Sequence, residues 1–235
     1  MMPQLLFVGD KTPLSKPEDV IPFLAKKEKH WKEGRSAYEA AYSWFTAKDV
    51  SPNLPPKIWN IIKDEPAYAG AVLEKAIFEK DTKLDDHGRD SQTDILAHLK
   101  TDNGRAVLGV EAKVDESFGL RVREWNDYGT GKLRRLVGLL DLLEFKSVPI
   151  GELRYQLFHR TAATLLEARD VGAFEAAMVV QSFDKGRAGY EDFVAFADAF
   201  GTPISSEGRL SRPKKLGEVT IRLGWTENPL RLAKS

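Results

Sequence analysis

The pair Asn103-Gly104 constrains this chain more than any other feature, because it stands between two apolar, alternating runs, "TDILAHLK" and "AVLGVEAKV". Asn-Gly between such runs is the strongest short-range signal for a β-hairpin, since both residues tolerate the positive φ angles of a tight two-residue turn. Side chains alternate between the two faces of a strand. Ala106, Leu108, Val110, Ala112 and Val114 therefore make one wholly apolar face, while Val107, Gly109, Glu111, Lys113 and Asp115 share the other. If Asn103 and Gly104 are the loop, Asp102 pairs with Arg105, Asp94 falls opposite Lys113 and Leu96 opposite Glu111. Directly opposed residues share a face, so this register predicts that Asp94, Glu111 and Lys113 converge.

The flanking segments read mainly as helices. The stretch from His30 to Phe45 places Tyr38, Ala41, Tyr42 and Phe45 at helical spacing, and "SPNLPPK" closes it as a loop. "PAYAGAVLEKAIFEK" (66–80) predicts a second helix, with Pro66 at its start and a stripe of Ala69, Val72, Leu73, Ala76 and Ile77. After the hairpin, "GKLRRLVGLLDLLEF" and "GELRYQLFHRTAATLLEARDVG" predict helices, "AFEAAMVVQSF" ends as a strand, "YEDFVAFADAFG" is a short amphipathic helix and "GEVTIRLGW" a final strand. Helix, antiparallel hairpin, helices, strand, helix, strand is an α/β order built on a mixed sheet. The reading divides the chain into a helical N-terminal extension, residues 1–65, and a core, residues 66–235.

Composition excludes several classes. With 235 residues, 42% hydrophobic and 30% charged, the chain is that of a folded globular protein rather than a disordered one. There are no cysteines, which removes disulfides, thiolate zinc sites and cysteine nucleophiles and fits a reducing compartment. The N-terminus lacks the basic start and longer apolar core of a signal peptide, and no apolar run is long enough to span a membrane. The expectation is a cytoplasmic protein with no membrane partner. A balance of 35 basic and 35 acidic residues argues against non-specific coating of nucleic acid, though not against a local basic cleft.

Familiar catalytic motifs are missing. "GTGKL" at 129–133 lacks the earlier glycine and the Ser/Thr of a phosphate loop, and no G-x-S-x-G elbow exists. His30, His87, His98 and His159 show no paired spacing on one helical turn, which gives zinc little support. What remains is Asp94 with Glu111 and Lys113. Two carboxylates near a strand end suit a hard cation such as Mg²⁺ or Mn²⁺, and a nearby ammonium can position water and stabilise a charged transition state. The plainer reading is a cross-strand ion pair between Asp94 and Lys113 with Glu111 solvated.

"TDILAHL" followed by "AVLGVEAKV" resembles the PD-(D/E)XK nuclease superfamily motif, in which an acid begins one strand and E-x-K comes late in the next. Thr93 stands where many members have proline, and the polar "DTKLDDHGRD" offers no clear first strand of the usual meander. Asp90 is the alternative acid; Asp94 is preferred for its register with Lys113. The resemblance implies a restriction-endonuclease-like mixed sheet flanked by helices. It also implies metal ligands at Asp94, Glu111 and the main chain of Ala112, with Lys113 assisting the nucleophilic water. It adds Glu74 as an acid from the preceding helix and Gln156 from the following one, with His159 and Arg160 close by. "HWKEGRSA", "RYQLFHRTAA" and "MVVQSF" extend the likeness to uncharacterised bacterial proteins assigned to that superfamily.

The expected function is a Mg²⁺- or Mn²⁺-dependent nuclease acting on DNA, with restriction, defence or repair as its setting. Phosphate contacts are expected from Arg121, Arg123, Lys132, Arg134 and Arg135, and a homodimer would suit paired cuts in duplex DNA. The alternative is a nuclease-like fold that binds nucleic acid or protein without cutting. A third reading, an interaction protein with a chance E-x-K, predicts Asp94 and Lys113 exposed and outside any cleft.

Overall fold

An eight-stranded mixed sheet runs through the computed structural model. The structure describes residues 4–9, 12–25, 27–86, 88–127, 129–146, 148–183, 187–206 and 208–231. Its elements are β1 (Leu6–Val8), β2 (Thr12–Pro13), α1 (Ser36–Ala47), α2 (Pro56–Ile62), β3 (Val72–Thr82), β4 (Ser91–Thr101) and β5 (Gly104–Lys113). Then come α3 (Val122–Trp125), α4 (Thr130–Leu142), α5 (Tyr155–Asp170), β6 (Glu175–Ser182), α6 (Tyr190–Phe200), β7 (Lys214–Leu216) and β8 (Val219–Glu227). Strands lie in the order β2-β1-β3-β4-β5-β6-β8-β7. The centre is an antiparallel β3–β4–β5 meander, continued by β6 and β8, each parallel to its neighbour. Parallel neighbours need crossover connections. The stretch containing α4 and α5 links β5 to β6, and α6 lies between β6 and β8.

Each face of the sheet has its own core. Ala106, Leu108, Val110, Ala112 and Val114, the apolar face of β5, pack with Leu6, Trp44, Ile58 and Ile62 from the N-terminal segments. Val107 on the opposite face joins Leu157, Phe158 and Leu165 of α5 and Phe193 and Phe196 of α6. The first 65 residues, expected to be helical, thus cover a sheet face with α1 and α2 and also supply β1 and β2, the last two strands at one side of the sheet.

Two expectations are corrected. Residues 66–80 do not form a helix: Pro66–Tyr68 is one 3₁₀ turn, and Val72–Thr82 is β3, the first strand of the meander. The stripe at helical spacing is misleading because the ladder shifts register between Leu73 and Lys75, which breaks the period-two signature. Gly70 ends the turn at φ +66, and a Cβ there would lie 2.1 Å from the Asp102 carboxylate, so glycine admits the hairpin tip. Pairing along all of β4 then overrides local helix propensity.

The second correction is the hairpin register. Thr101 pairs with Gly104 and Lys100 with Arg105, so the turn residues are Asp102 and Asn103, and the ladder is displaced by two positions from the expected one. Contacts outside the hairpin select this turn. The Asp102 N–H donates to the Ala69 carbonyl (2.8 Å) and Asn103 Nδ2 to the Pro66 carbonyl (3.2 Å), while inside the hairpin the Asn103 N–H donates to Thr101 Oγ1 (3.2 Å). A displacement of two keeps every side chain on its expected face.

Candidate active site

The observed ladders set three acids in a row. Continuing past Ile95–Val110 puts Asp94 across from Glu111 rather than Lys113. Phe78–Ile95 and Lys80–Thr93 bracket Glu79 and Asp94, which are likewise opposed. Asp94 Oδ2 accepts a 2.8 Å hydrogen bond from the Ala112 N–H. Glu79 takes φ +50, a conformation that costs a non-glycine residue about 1–3 kcal/mol.

Helix α5 covers this row. A Cβ on Gly109 would meet Thr164 Oγ1 at 1.9 Å, so the missing side chain lets the helix approach β5 closely. Gln156 and Arg160, one turn apart on the same side of the helix, then reach Glu111. Gln156 Nε2 donates to Glu111 Oε1 (2.6 Å), and its Oε1 accepts from Lys113 Nζ (3.1 Å). Lys113 Nζ lies 2.9 Å from Glu111 Oε1, and Arg160 Nε is paired with Glu111 Oε2. Beyond Arg160, its Nη1 donates to Ser91 Oγ (3.0 Å), which lies 2.8 Å from His159 Nδ1. Lys113 also sits over the Phe118 ring, 5.1 Å from its centre.

Burial and charge act differently on each group. Burial opposes the Glu111 charge, but Arg160 and Lys113 outweigh it and hold the carboxyl at about 2. Asp94 is pushed up to about 7 by burial and then by the Glu111 charge. Glu79 is also raised, by burial and by Asp94. Burial disfavours the Lys113 ammonium, yet Glu111 and Asp94 raise its pKa, so it is charged. Burial and Arg160 lower His159 to about 3, leaving a neutral imidazole for Ser91.

Glu79, Asp94, Glu111, Lys113, Gln156 and Arg160 line one cavity of about 210 Å³, with Leu24, His30, Ser36 and Ala37 of the N-terminal segment also in its wall. Among the described residues, no set of three His, Asp or Glu side chains is arranged to hold a metal ion. The oxygen-only donors of Glu79, Asp94, Glu111 and the Ala112 carbonyl are nevertheless of the hard type that suits Mg²⁺ or Mn²⁺.

The structure brings together Asp94, Glu111, Ala112, Lys113 and Gln156. It leaves Glu74 out: as a strand residue Glu74 is exposed, with Oε2 3.9 Å from Arg105 Nε near the hairpin tip. Glu79 stands in the site instead. Counting register back from β4 would have found it once 72–82 was read as a strand. Asp90 is exposed ahead of β4. The expected phosphate contacts are largely engaged: Arg121 and Arg123 pair with Glu152, and Lys132 with Asp127 (2.8 Å). Arg135 is buried, grips both Asp85 oxygens at 2.8 Å and donates to the Arg89 carbonyl, which makes it a structural clamp. Arg134 is exposed. Of the histidines, His98 pairs with Glu167 at 3.0 Å and His87 lies outside the described residues. No described helix is long and apolar enough to cross a membrane.

A family model described as a domain of unknown function (DUF6946) matches residues 13–230. No curated protein and no solved structure matches the chain.

Proposed function

The chain belongs to the DUF6946 family, and we propose that it is a metal-dependent nuclease of the PD-(D/E)XK type that hydrolyses phosphodiester bonds in DNA. One observation carries this reading: Asp94, Glu111 and Lys113 meet Gln156 in a single cavity, with Glu79 completing a row of acids across three adjacent strands. The order of elements supports it, since an antiparallel meander followed by a helical crossover into parallel β6 is what a restriction-endonuclease-like core requires.

In this reading Asp94, Glu111 and the Ala112 carbonyl hold Mg²⁺ or Mn²⁺, with Glu79 beside them. Such an ion makes its bound water more acidic and offsets charge on a phosphoryl oxygen. Lys113, kept protonated by Glu111 and Asp94, donates hydrogen bonds: it orients the attacking water and stabilises the developing negative charge. Gln156 bridges Lys113 and Glu111 and fixes their separation. Buried Arg160 neutralises the second Glu111 oxygen and ties it to Ser91.

The test is cleavage of linear duplex, circular and single-stranded DNA with Mg²⁺ or Mn²⁺, comparing wild type with Lys113→Ala. Metal-dependent cutting that falls at least ~100-fold in the variant is expected. Cutting at the wild-type rate sinks the assignment. The Arg160–Glu111 pair favours a second reading, a nuclease-like module that binds without cutting. Such a module has no reason to take up Mn²⁺, so a metal titration separates the two.

A further inference from the structure

Apart from exposed Arg134, the cations first expected to meet substrate are paired with Glu152 and Asp127 or buried on Asp85, and the cavity itself is lined by four acids, Glu79, Asp94, Glu111 and Glu116, against Lys113 and Arg160. A polyanion entering it therefore needs attraction from outside. The segment before α1 provides that. A second cavity, of about 540 Å³, shares His30, Ser36, Ala37 and Glu116 with the first and adds Lys29, Lys32 and Arg35. Lys27, Lys29, His30, Lys32 and Arg35 are all exposed. The acids nearby are Glu28 and Glu33 in the same segment, Glu116 in the wall, and exposed Asp115, 3.4 Å from Arg35 Nη1.

The segment is held in place. Successive turns are closed by His30 N–H to the Lys27 carbonyl (3.0 Å), Trp31 N–H to Glu28 (3.2 Å) and Arg35 N–H to Lys32 (3.0 Å). The Gly34 N–H donates to buried Glu39 (2.9 Å), and the Trp31 ring packs 5.3 Å from that of Tyr38. Exposed cations on an ordered backbone, around a cavity that shares His30, Ser36, Ala37 and Glu116 with the acid-lined one, suit the phosphates of a strand that enters there.

Building on the nuclease reading, we infer that Lys29, Lys32 and Arg35 form the surface that tracks the DNA backbone into the Glu111 cavity. Their contacts are to phosphate, so they supply affinity without sequence preference.

The experiment is fluorescence anisotropy of a short labelled DNA duplex, and of one of its single strands, in Ca²⁺ over a range of salt. The proteins are wild type, Lys29→Ala/Lys32→Ala/Arg35→Ala, and Arg121→Ala/Arg123→Ala/Lys132→Ala, with melting curves to confirm that each is folded. The first triple variant is expected to bind at least ~10-fold more weakly near 0.1 M salt, with a log–log salt slope shallower by about 2–3, while the second keeps wild-type binding. Wild-type binding by the first variant overturns the inference and leaves the nuclease reading standing. If the wild-type protein binds neither DNA, both fall.

Discussion

Among the described residues, two carboxylates each lie between two cations. Glu111 lies between Arg160 and Lys113 under α5; Glu152 lies between Arg121 and Arg123 at the surface. The formal charges are identical, but Glu111 is 2% exposed while the Glu152 side chain is 63% exposed. Around Glu152, water screens the attraction and hydrates each group whether or not it is paired. Around Glu111, each ion has given up its hydration, and the arrangement holds only because every partner is present: Gln156 and Ser91 supply the hydrogen bonds the ions leave open. Stoichiometry therefore says little about either cluster, and desolvation decides which one is sensitive.

The largest effect is expected from Glu111→Ala. It leaves Arg160 and Lys113 buried without their counter-ion, which costs about 3–5 kcal/mol, and it removes metal-dependent cleavage. Urea denaturation and the cleavage assay report the two losses separately. Glu111→Gln, which preserves size and some hydrogen bonding, should lose cleavage with a smaller loss of stability. If Glu111→Ala is as stable as wild type, the buried cluster is no more sensitive than the exposed one.

Gly109→Ala probes how the buried cluster is assembled. The new Cβ overlaps Thr164 Oγ1 and must displace α5 from β5, at a cost of about 1–3 kcal/mol. Because Gln156 and Arg160 ride on that helix, cleavage per folded molecule should fall too, although no charged group has changed. Intact cleavage would mean that α5 adapts without moving its side chains off Glu111.

How much of this could be read from the sequence follows the same division between local and long-range causes. The alternation in β5 is local, and it correctly separates the face that meets the N-terminal core from the face that carries Glu111 and Lys113. The Asn-Gly signal finds the hairpin but not its register, because the contacts that choose the turn come from Pro66 and Ala69, distant in sequence. Convergence of Asp94 on Glu111 survives the error only because the displacement is even. Strand β3 is hidden by its irregularities, the register shift at Leu73–Lys75 and the positive φ of Glu79, and with it the acid that enters the site. Gln156 is legible from its place on the following helix. The pairing of Arg160 with Glu111 is not, since it depends on how closely Gly109 lets that helix approach. The pairing of surface cations is hidden for a related reason: sequence shows Arg121 and Arg123 but not that Glu152 folds back onto them.

A smaller effect separates Asp94 from its neighbours by pH. Its carboxyl titrates near 7 in the folded protein against an ordinary value of 3.8, so between those values the native state keeps a proton that the unfolded chain has lost. Stability contributed by Asp94 is therefore lost as pH rises through this window, with a limiting slope of about 1.4 kcal/mol per pH unit. Glu111 works in the opposite direction and at lower pH: its stabilisation is present above 4.5 and disappears as pH falls towards about 2. Denaturation curves across the upper window should show wild-type stability declining and Asp94→Asn declining less. Glu79, raised by the same burial, accounts for the slope that remains in the variant. Equal slopes in the two proteins would mean that Asp94 is ionised throughout.

Glu152→Ala should produce the smallest change. It leaves Arg121 and Arg123 unpaired, as Glu111→Ala leaves Arg160 and Lys113, but both arginines gain water in exchange for the carboxylate. The expected loss is about 0.5 kcal/mol or less, and it should shrink further in high salt, where solvent-exposed charges are screened. Denaturation at low and high salt measures it directly. A loss approaching that of Glu111→Ala would place this cluster in a much drier setting than its exposure implies. The same variant also tests the phosphate-binding surface from the other side. Freeing Arg121 and Arg123 adds unneutralised positive charge, so if DNA passed over them the affinity should rise. With the backbone running along Lys29, Lys32 and Arg35 instead, binding stays at the wild-type level.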